Sequence, residues 1–354
     1  MIESIQNNNR KLYLDVLRIF AIFLVLFTHT GIEGAKLYTI TENVILQIMY
    51  AMLDCFRTIN NPLLFMISGA LLLGKEENID TIWRKRVIRF LVCLLLFSYI
   101  QAIWNYFCSS DEAIFDIWEI FKNLLVSPIR LQYWYLYSYI SFLVMIPFLS
   151  GIAKQMDNSQ FRYLLILAIV TIDLFPLASL KLGIAKINFS IFLNSYTTLY
   201  PLLGYYLDNH SDKLTKKQYI LITVLTIWSI WFSAYMTIWN YRKFGNWEEK
   251  YITLFDTFVA VTVFFLVKKF ILYLEQNRKL KYRIVQFIEF VSSTTFGIYL
   301  LENILEAFTR PIFILLSNYM PLIFACGIWL IATMFFGNIV VGLMKKVPGL
   351  KKLL

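Results

Sequence analysis

Two residues able to do chemistry, Arg18 and His29, lie eleven positions apart in a mostly apolar stretch, YLDVLRIFAIFLVLFTHTG from Tyr13 to Gly31. Eleven positions are about three helical turns, so both side chains fall on one stripe, roughly 16 Å apart along the axis. Guanidinium recognises oxyanions through a planar fork, and imidazole exchanges protons near neutrality. Asp15, three positions before Arg18, can pair with it on the same face. A charge in the middle of a spanning helix costs about 2.5 kcal/mol or more unless it faces protein or a water-filled cavity. A cation near one end and a titratable ring near the other therefore define a polar line through the membrane. The bland alternatives are an arginine that snorkels and a histidine wetted at an interface.

Four further stretches carry chemical groups. In FVSSTTFGIYLLENILEAF, Glu302 falls at a depth similar to that of His29, counted from opposite ends of their segments, and Glu306 follows one turn later. A carboxylate beside an imidazole raises its basicity and fixes its tautomer, as a general base requires; Glu306 reads better as interfacial. In DCFRTINNPLLFMISGALLL, Asn60, Asn61 and Pro62 interrupt an apolar run beside a second unusual cation, Arg57. Proline removes a backbone donor, and opened backbone at membrane depth survives only inside protein or along a cavity. The run WRKRVIR clusters Arg84, Lys85, Arg86 and Arg89, which is first a topology signal and also a set able to grip phosphates. Trp134 and Tyr135, in QYWYLYSYISFLVMIP, suit an interfacial belt or a pocket wall.

These groups need a scaffold, and composition supplies its class. Of 354 residues, 59% are hydrophobic and 16% charged, which implies an all-α polytopic membrane protein. Ten apolar segments are long enough to span: Leu12–Thr30, Val44–Leu73, Val87–Phe107, Leu131–Leu149, Arg162–Leu180, Phe189–Leu207, Tyr219–Trp239, Tyr251–Leu274, Ile284–Phe308 and Tyr319–Met344. An amphipathic stretch, DEAIFDIWEIFKNLL, suits a helix lying in the outer interface. With the N-terminus inside, inner segments hold 22 of the 33 lysines and arginines and outer segments nine. That bias makes both termini cytoplasmic, and it accounts for the net charge of +10 without nucleic acid. No cleavable signal peptide is expected, since Arg18 interrupts the apolar core. Cys55, Cys93, Cys108 and Cys326 form no paired motif, so neither a disulfide framework nor a metal site is implied. Residues 1–354 read as a single transmembrane domain.

Taken in order, these stretches resemble the acyltransferase 3 family of integral membrane acyltransferases, from Leu14 to about Ala307. LDVLRIFAIFLVLFTH is similar to the family's arginine-ten-residues-histidine pattern through Arg18 and His29. NPLLFMISGALLLGK resembles its Pro-Leu-Phe-Phe…Ser-Gly segment at Pro62, Phe65, Ser68 and Gly69. QYWYLYSYISFLVMIPFL resembles its His-Leu-Trp-Tyr-Leu…Pro segment at Trp134, Tyr135 and Pro147. YPLLGYYL is similar to its Leu-Gly-Tyr segment at Gly204, and TFGIYLLEN to its late Phe-Gly-Ile-Tyr-Leu-Ile-His segment at Tyr299. Gln132 and Glu302 stand where the family often has histidines, which leaves His29 as the membrane histidine. A fused esterase-like domain, present in some relatives, is not expected.

The resemblance implies acyl transfer from a cytoplasmic acyl-CoA, usually acetyl-CoA, to a hydroxyl on an extracytoplasmic glycan or lipid-linked sugar. Arg18, Arg86 and Arg89 would hold the donor's phosphates, and His29 would deprotonate the acceptor, with Glu302 as its orienting carboxylate. Asp15, Arg57, Asn60, Asn61, Ser68, Trp134, Tyr135 and Tyr299 would line the channel, and Asn60, Asn61 or Ser68 could donate to an oxyanion. An acyl-histidine intermediate stays open, as does a homo-oligomer. No metal is implied, the other partner is the bilayer, and the family's usual company places the chain in a bacterial inner membrane. The competing readings are a transporter or exporter of a glycan or small anion, with Arg18, Arg57 and Glu302 as its pathway, and a membrane scaffold.

Overall fold

The computed structural model of the protein describes residues 10–108, 117–182, 195–210, 215–245, 247, 249–277 and 279–354. Among them every regular element is helical. In chain order these are α1 (Leu12–His29), α2 (Val44–Arg57), α3 (Asn60–Leu72), α4 (Ile79–Ile82), α5 (Ile88–Cys108), α6 (Ile117–Val126), α7 (Trp134–Gln155) and α8 (Asn158–Ala168). They continue with α9 (Phe175–Leu182), α10 (Leu199–Asn209), α11 (Lys216–Phe244), α12 (Glu249–Ile252), α13 (Asp256–Gln276), α14 (Tyr282–Leu316), α15 (Leu322–Met344) and α16 (Pro348–Leu353). One π-helical turn, Trp83–Val87, joins α4 to α5, and another, Ile169–Leu174, joins α8 to α9.

The side-chain distribution is that of helices packed in lipid. On α15 the large apolar residues Phe324, Ile328, Ile331 and Phe335 are exposed, while Ala325, Cys326, Thr333 and the neighbouring Gly337 turn inward. Small and polar residues inside allow close helix contact, and the outward apolar face would be untenable in water. Among the described residues, eight helical runs are long and apolar enough to cross a bilayer. The chain is an all-α, multi-pass membrane protein.

Two of the ten expected spans are absent from that set for identifiable reasons. Val44–Leu73 is two helices of 14 and 13 residues, about 20 Å each, parted at Thr58 and Ile59. Asn60, Asn61 and Pro62, expected to interrupt a helix, instead open α3, where proline's missing N–H has no helical partner to lose. Phe189–Leu207 begins outside the described residues, and the helix in its described part is α10. The start of the amphipathic stretch, through Asp116, also lies outside them, and α6 is its remainder.

The helices gather into two compact units. The first comprises Met1–Ile67, Ile169–Phe189 and His210–Thr295. In it α1 packs against α2 and α13, and α2 against α11. Asn43 caps α2 by accepting from the N–H groups of Ile45 and Leu46. Asp173, on the second π-helical turn, accepts from the N–H groups of Thr257 (3.3 Å) and Phe258 (3.1 Å) and so caps α13. The residue that enters α13, Phe255, has a φ of 65°, which a non-glycine residue adopts at a cost of about 1 kcal/mol or more.

The second unit comprises Ser68–Ala168, Ser190–Asn209 and Phe296–Leu354. In it α7 packs against α5 and α10, and α16 against α5. A Cβ at Gly69 would lie 2.0 Å from the Pro201 carbonyl oxygen, so α3 and α10 approach through a gap that admits only hydrogen.

Candidate active site

α1 runs unbroken from Leu12 to His29, so Arg18 and His29 ride on one helix, as their spacing requires. Around its first turns, Asp15 is buried and accepts hydrogen bonds from several sides. Arg10 Nε lies 2.7 Å from Asp15 Oδ2, Ser292 Oγ donates at 2.6 Å, and Arg18 Nη1 lies at 3.4 Å. Arg18 also donates to Ser292 Oγ at 3.1 Å. Arg10 reaches on to α14, donating to the Glu289 carbonyl at 3.1 Å. A buried carboxylate is tolerated when it is paired and hydrogen-bonded, and Asp15 is both. The carboxylate partner raises the Arg10 pKa, so this cation is locked in its charged form.

His29 closes the other end of α1, and its neighbour Thr28 ties that turn to the break between α2 and α3. Thr28 Oγ1 donates to the Leu24 carbonyl at 2.8 Å and accepts from Asn60 Nδ2 at 2.9 Å and Arg57 Nη1 at 3.4 Å. Arg57 is ion-paired through Nε to the fully buried Asp54. One residue past Arg57, Thr58 donates to Asp256 at the head of α13. Asn61 sits beside this group, its N–H donating to the Asn60 side-chain oxygen. A guanidinium and an amide thus converge on the helical turn that bears the histidine. Donors fixed in a dry surrounding can stabilise negative charge that develops nearby.

The second unit holds the remaining site residues. Ser68 is buried beside Gly69 on α3. The basic cluster straddles the first π-helical turn, which breaks the ordinary helical register there. Arg84 pairs with Asp80 in an exposed position. Arg86 grips Glu77 with two N–H groups, one of them at 2.7 Å, and this hydrogen bond holds the Glu77 carboxyl below its ordinary pKa. Arg89 instead directs Nε and Nη2 onto a single backbone oxygen, the Leu353 carbonyl, at 3.0 and 2.9 Å.

On α14, Glu302 is 3% exposed and stands three positions beyond Tyr299 on the same helix. Tyr299 is buried and donates to the Gln132 carbonyl at 2.8 Å, and Tyr133 donates to the Leu300 carbonyl at 2.7 Å. Tyr135 packs edge-on to Tyr299 with ring centroids 5.9 Å apart. Trp134, 38% exposed, meets Tyr196 edge-on. Tyr135 therefore belongs to a buried aromatic wall, whereas Trp134 is partly exposed.

The first unit brings Asp15 to Arg18, and Arg57 to Asn60 at the turn of His29; the second brings Tyr135 to Tyr299 near Glu302. Sequence reasoning missed Arg10, Thr28, Asp54, Ser292 and Leu353. Asp54 was legible, since it precedes Arg57 by three positions. Ser292 and the Leu353 carbonyl carry no local signal. A family model described as "Acyltransferase domain" (Acyl_transf_3) matches residues 11–342 of the chain. No curated protein and no solved structure matches it.

Proposed function

The chain belongs to the acyltransferase 3 family and is a membrane acyltransferase; from that premise we propose that it moves an acetyl group from cytoplasmic acetyl-CoA to a hydroxyl of an extracytoplasmic glycan or lipid-linked sugar. The observation that supports this reading is α1, a single helix with Arg18, paired to Asp15, near one end and His29 at the other. With both termini cytoplasmic in a bacterial inner membrane, Arg18, Arg86 and Arg89 face the compartment that holds acyl-CoA, and His29 faces the acceptor. His29 takes the proton of the attacking hydroxyl. The freed oxygen adds to the thioester carbonyl, the negative charge resides briefly on that carbonyl oxygen, and the C–S bond then breaks. The CoA thiolate leaves with the electron pair and is reprotonated. Arg57 and Asn60, which meet on Thr28 beside the histidine, steady the transient oxyanion. Trp134, Tyr135 and Tyr299 supply aromatic surface for a sugar.

The test is reconstituted protein supplied with labelled acetyl-CoA and a glycan acceptor. His29→Ala should retain acetyl-CoA binding and lose most transfer. Near-normal turnover by His29→Ala would reject the mechanism.

A further inference from the structure

Arg86 and Arg89 stand three positions apart in one cluster, yet the structure treats them differently. Arg86 is neutralised by Glu77 in a two-pronged ion pair. Among the described residues Arg89 has no carboxylate within ion-pair distance, and the Leu353 carbonyl takes two of its N–H groups. A carbonyl fixes a guanidinium without cancelling its charge. Three of the five N–H donors of an arginine then remain for another acceptor. Burial, and after it the charge of Arg89, pushes the Lys345 ammonium pKa down.

The carbonyl is itself held in place. Cys93, one turn beyond Arg89 on α5, lies with Sγ 3.5 Å from the same oxygen. Leu354 is 8% exposed, and its Cδ2 lies 3.3 Å from where a Cβ on Gly297 would stand, beside Val341. The Val341 methyls, 2.5 and 2.8 Å from that position, fill most of the room the glycine leaves. Leu354 packs at its edge against α14 and α15, which anchors the end of α16 while α16 itself packs against α5.

We infer that α16 is a positioning element of the donor site: docking of Leu354 places the Leu353 carbonyl so that it orients the uncompensated Arg89 toward a phosphate of the acyl donor, while Arg86 serves as a clamp on Glu77. This rests on the donor-binding reading of Arg89 given above. Leu354 is a positioning residue, since it acts through the carbonyl before it.

The experiment measures kcat and KM in proteoliposomes with two donors, acetyl-CoA and S-acetyl-pantetheine, which has no phosphate. Leu354→Asp should raise the KM for acetyl-CoA about tenfold, the loss of one charge-assisted contact, with little change in kcat. It should leave turnover of S-acetyl-pantetheine at the parental value, Leu354→Ala should fall between, and Leu354→Met should restore the parental KM. Equal damage with both donors would show general disruption and overturn the inference. A lowered KM for acetyl-CoA in Leu354→Asp would mean that α16 competes with the donor, which also overturns it. If Arg89→Gln weakens acetyl-CoA binding while Leu354→Asp leaves it unchanged, the positioning role fails and the donor reading stands. If Arg89→Gln binds acetyl-CoA normally, the donor reading of Arg89 fails and takes the inference with it.

Discussion

At the Arg18 end of α1 one buried carboxylate collects two guanidinium groups and a hydroxyl, whereas at the His29 end an amide and a guanidinium meet on Thr28 and the carboxylate, Asp54, stands one step back behind Arg57. The first arrangement fixes a permanent charge. The second sets hydrogen-bond donors on the turn that bears His29, the residue proposed above to take up a proton. One helix can serve both because each end recruits its partners from different elements: Arg10 and α14 at one end, the α2–α3 break at the other.

That contrast breaks most easily in kinetics. His29→Ala should lose about 10²- to 10⁴-fold in kcat, the usual contribution of a general base, with an unchanged KM for acetyl-CoA. Arg18→Gln should do the reverse, raising that KM about tenfold, and Arg18→Lys should be impaired as well because an ammonium lacks the planar fork. Loss of the same parameter in both variants would erase the division of labour between the two ends.

Stability sharpens the Arg18 end. Asp15→Asn should destabilise the protein by about 1–3 kcal/mol, since it leaves two guanidinium groups without their shared negative charge and puts an NH2 donor where an oxygen accepted. Arg10→Gln should cost less, because Arg18 and Ser292 still serve Asp15. Denaturation in detergent would read both, and a larger effect of Arg10→Gln would contradict the hub role of Asp15.

A smaller effect belongs to Glu302. Glu302→Gln should reduce kcat by less than about tenfold, below the loss at His29. A loss as large as that of His29→Ala would make Glu302 a proton carrier.

The smallest concerns Glu77, whose ion pair with Arg86 repeats the locked-cation design in a solvent-screened place. Its carboxyl pKa is lowered by Arg86, so the pair's contribution is present above the ordinary value of 4.5 and fades as pH falls through the lowered folded value. The gap in melting temperature between the parent and Glu77→Gln should therefore be present at pH 7 and close below pH 4.5, with a total worth of at most about 1 kcal/mol. A gap that persists at low pH would show that the pair is not its source.

Much of this was legible in residue types and spacing. Arg18 and His29 needed only a helical period. The broken second segment announced itself through Asn60, Asn61 and Pro62, although the break falls just before them because proline fits a helix's first turn. Tertiary partners were not legible. Ser292 is one of many serines, and nothing in a leucine at position 353 signals that its carbonyl will hold an arginine. Contacts made by backbone atoms leave no compositional trace.

Asp15 and Ser292 are 277 positions apart, whereas Arg10 and Arg18 flank Asp15 within five residues. At about 5–20 residues per second, synthesis separates the emergence of Asp15 from that of Ser292 by tens of seconds. Throughout that interval the carboxylate has to be carried into or along the bilayer by its neighbours alone. The two arginines are therefore the partners close enough in sequence to pair with the carboxylate before Ser292 is made.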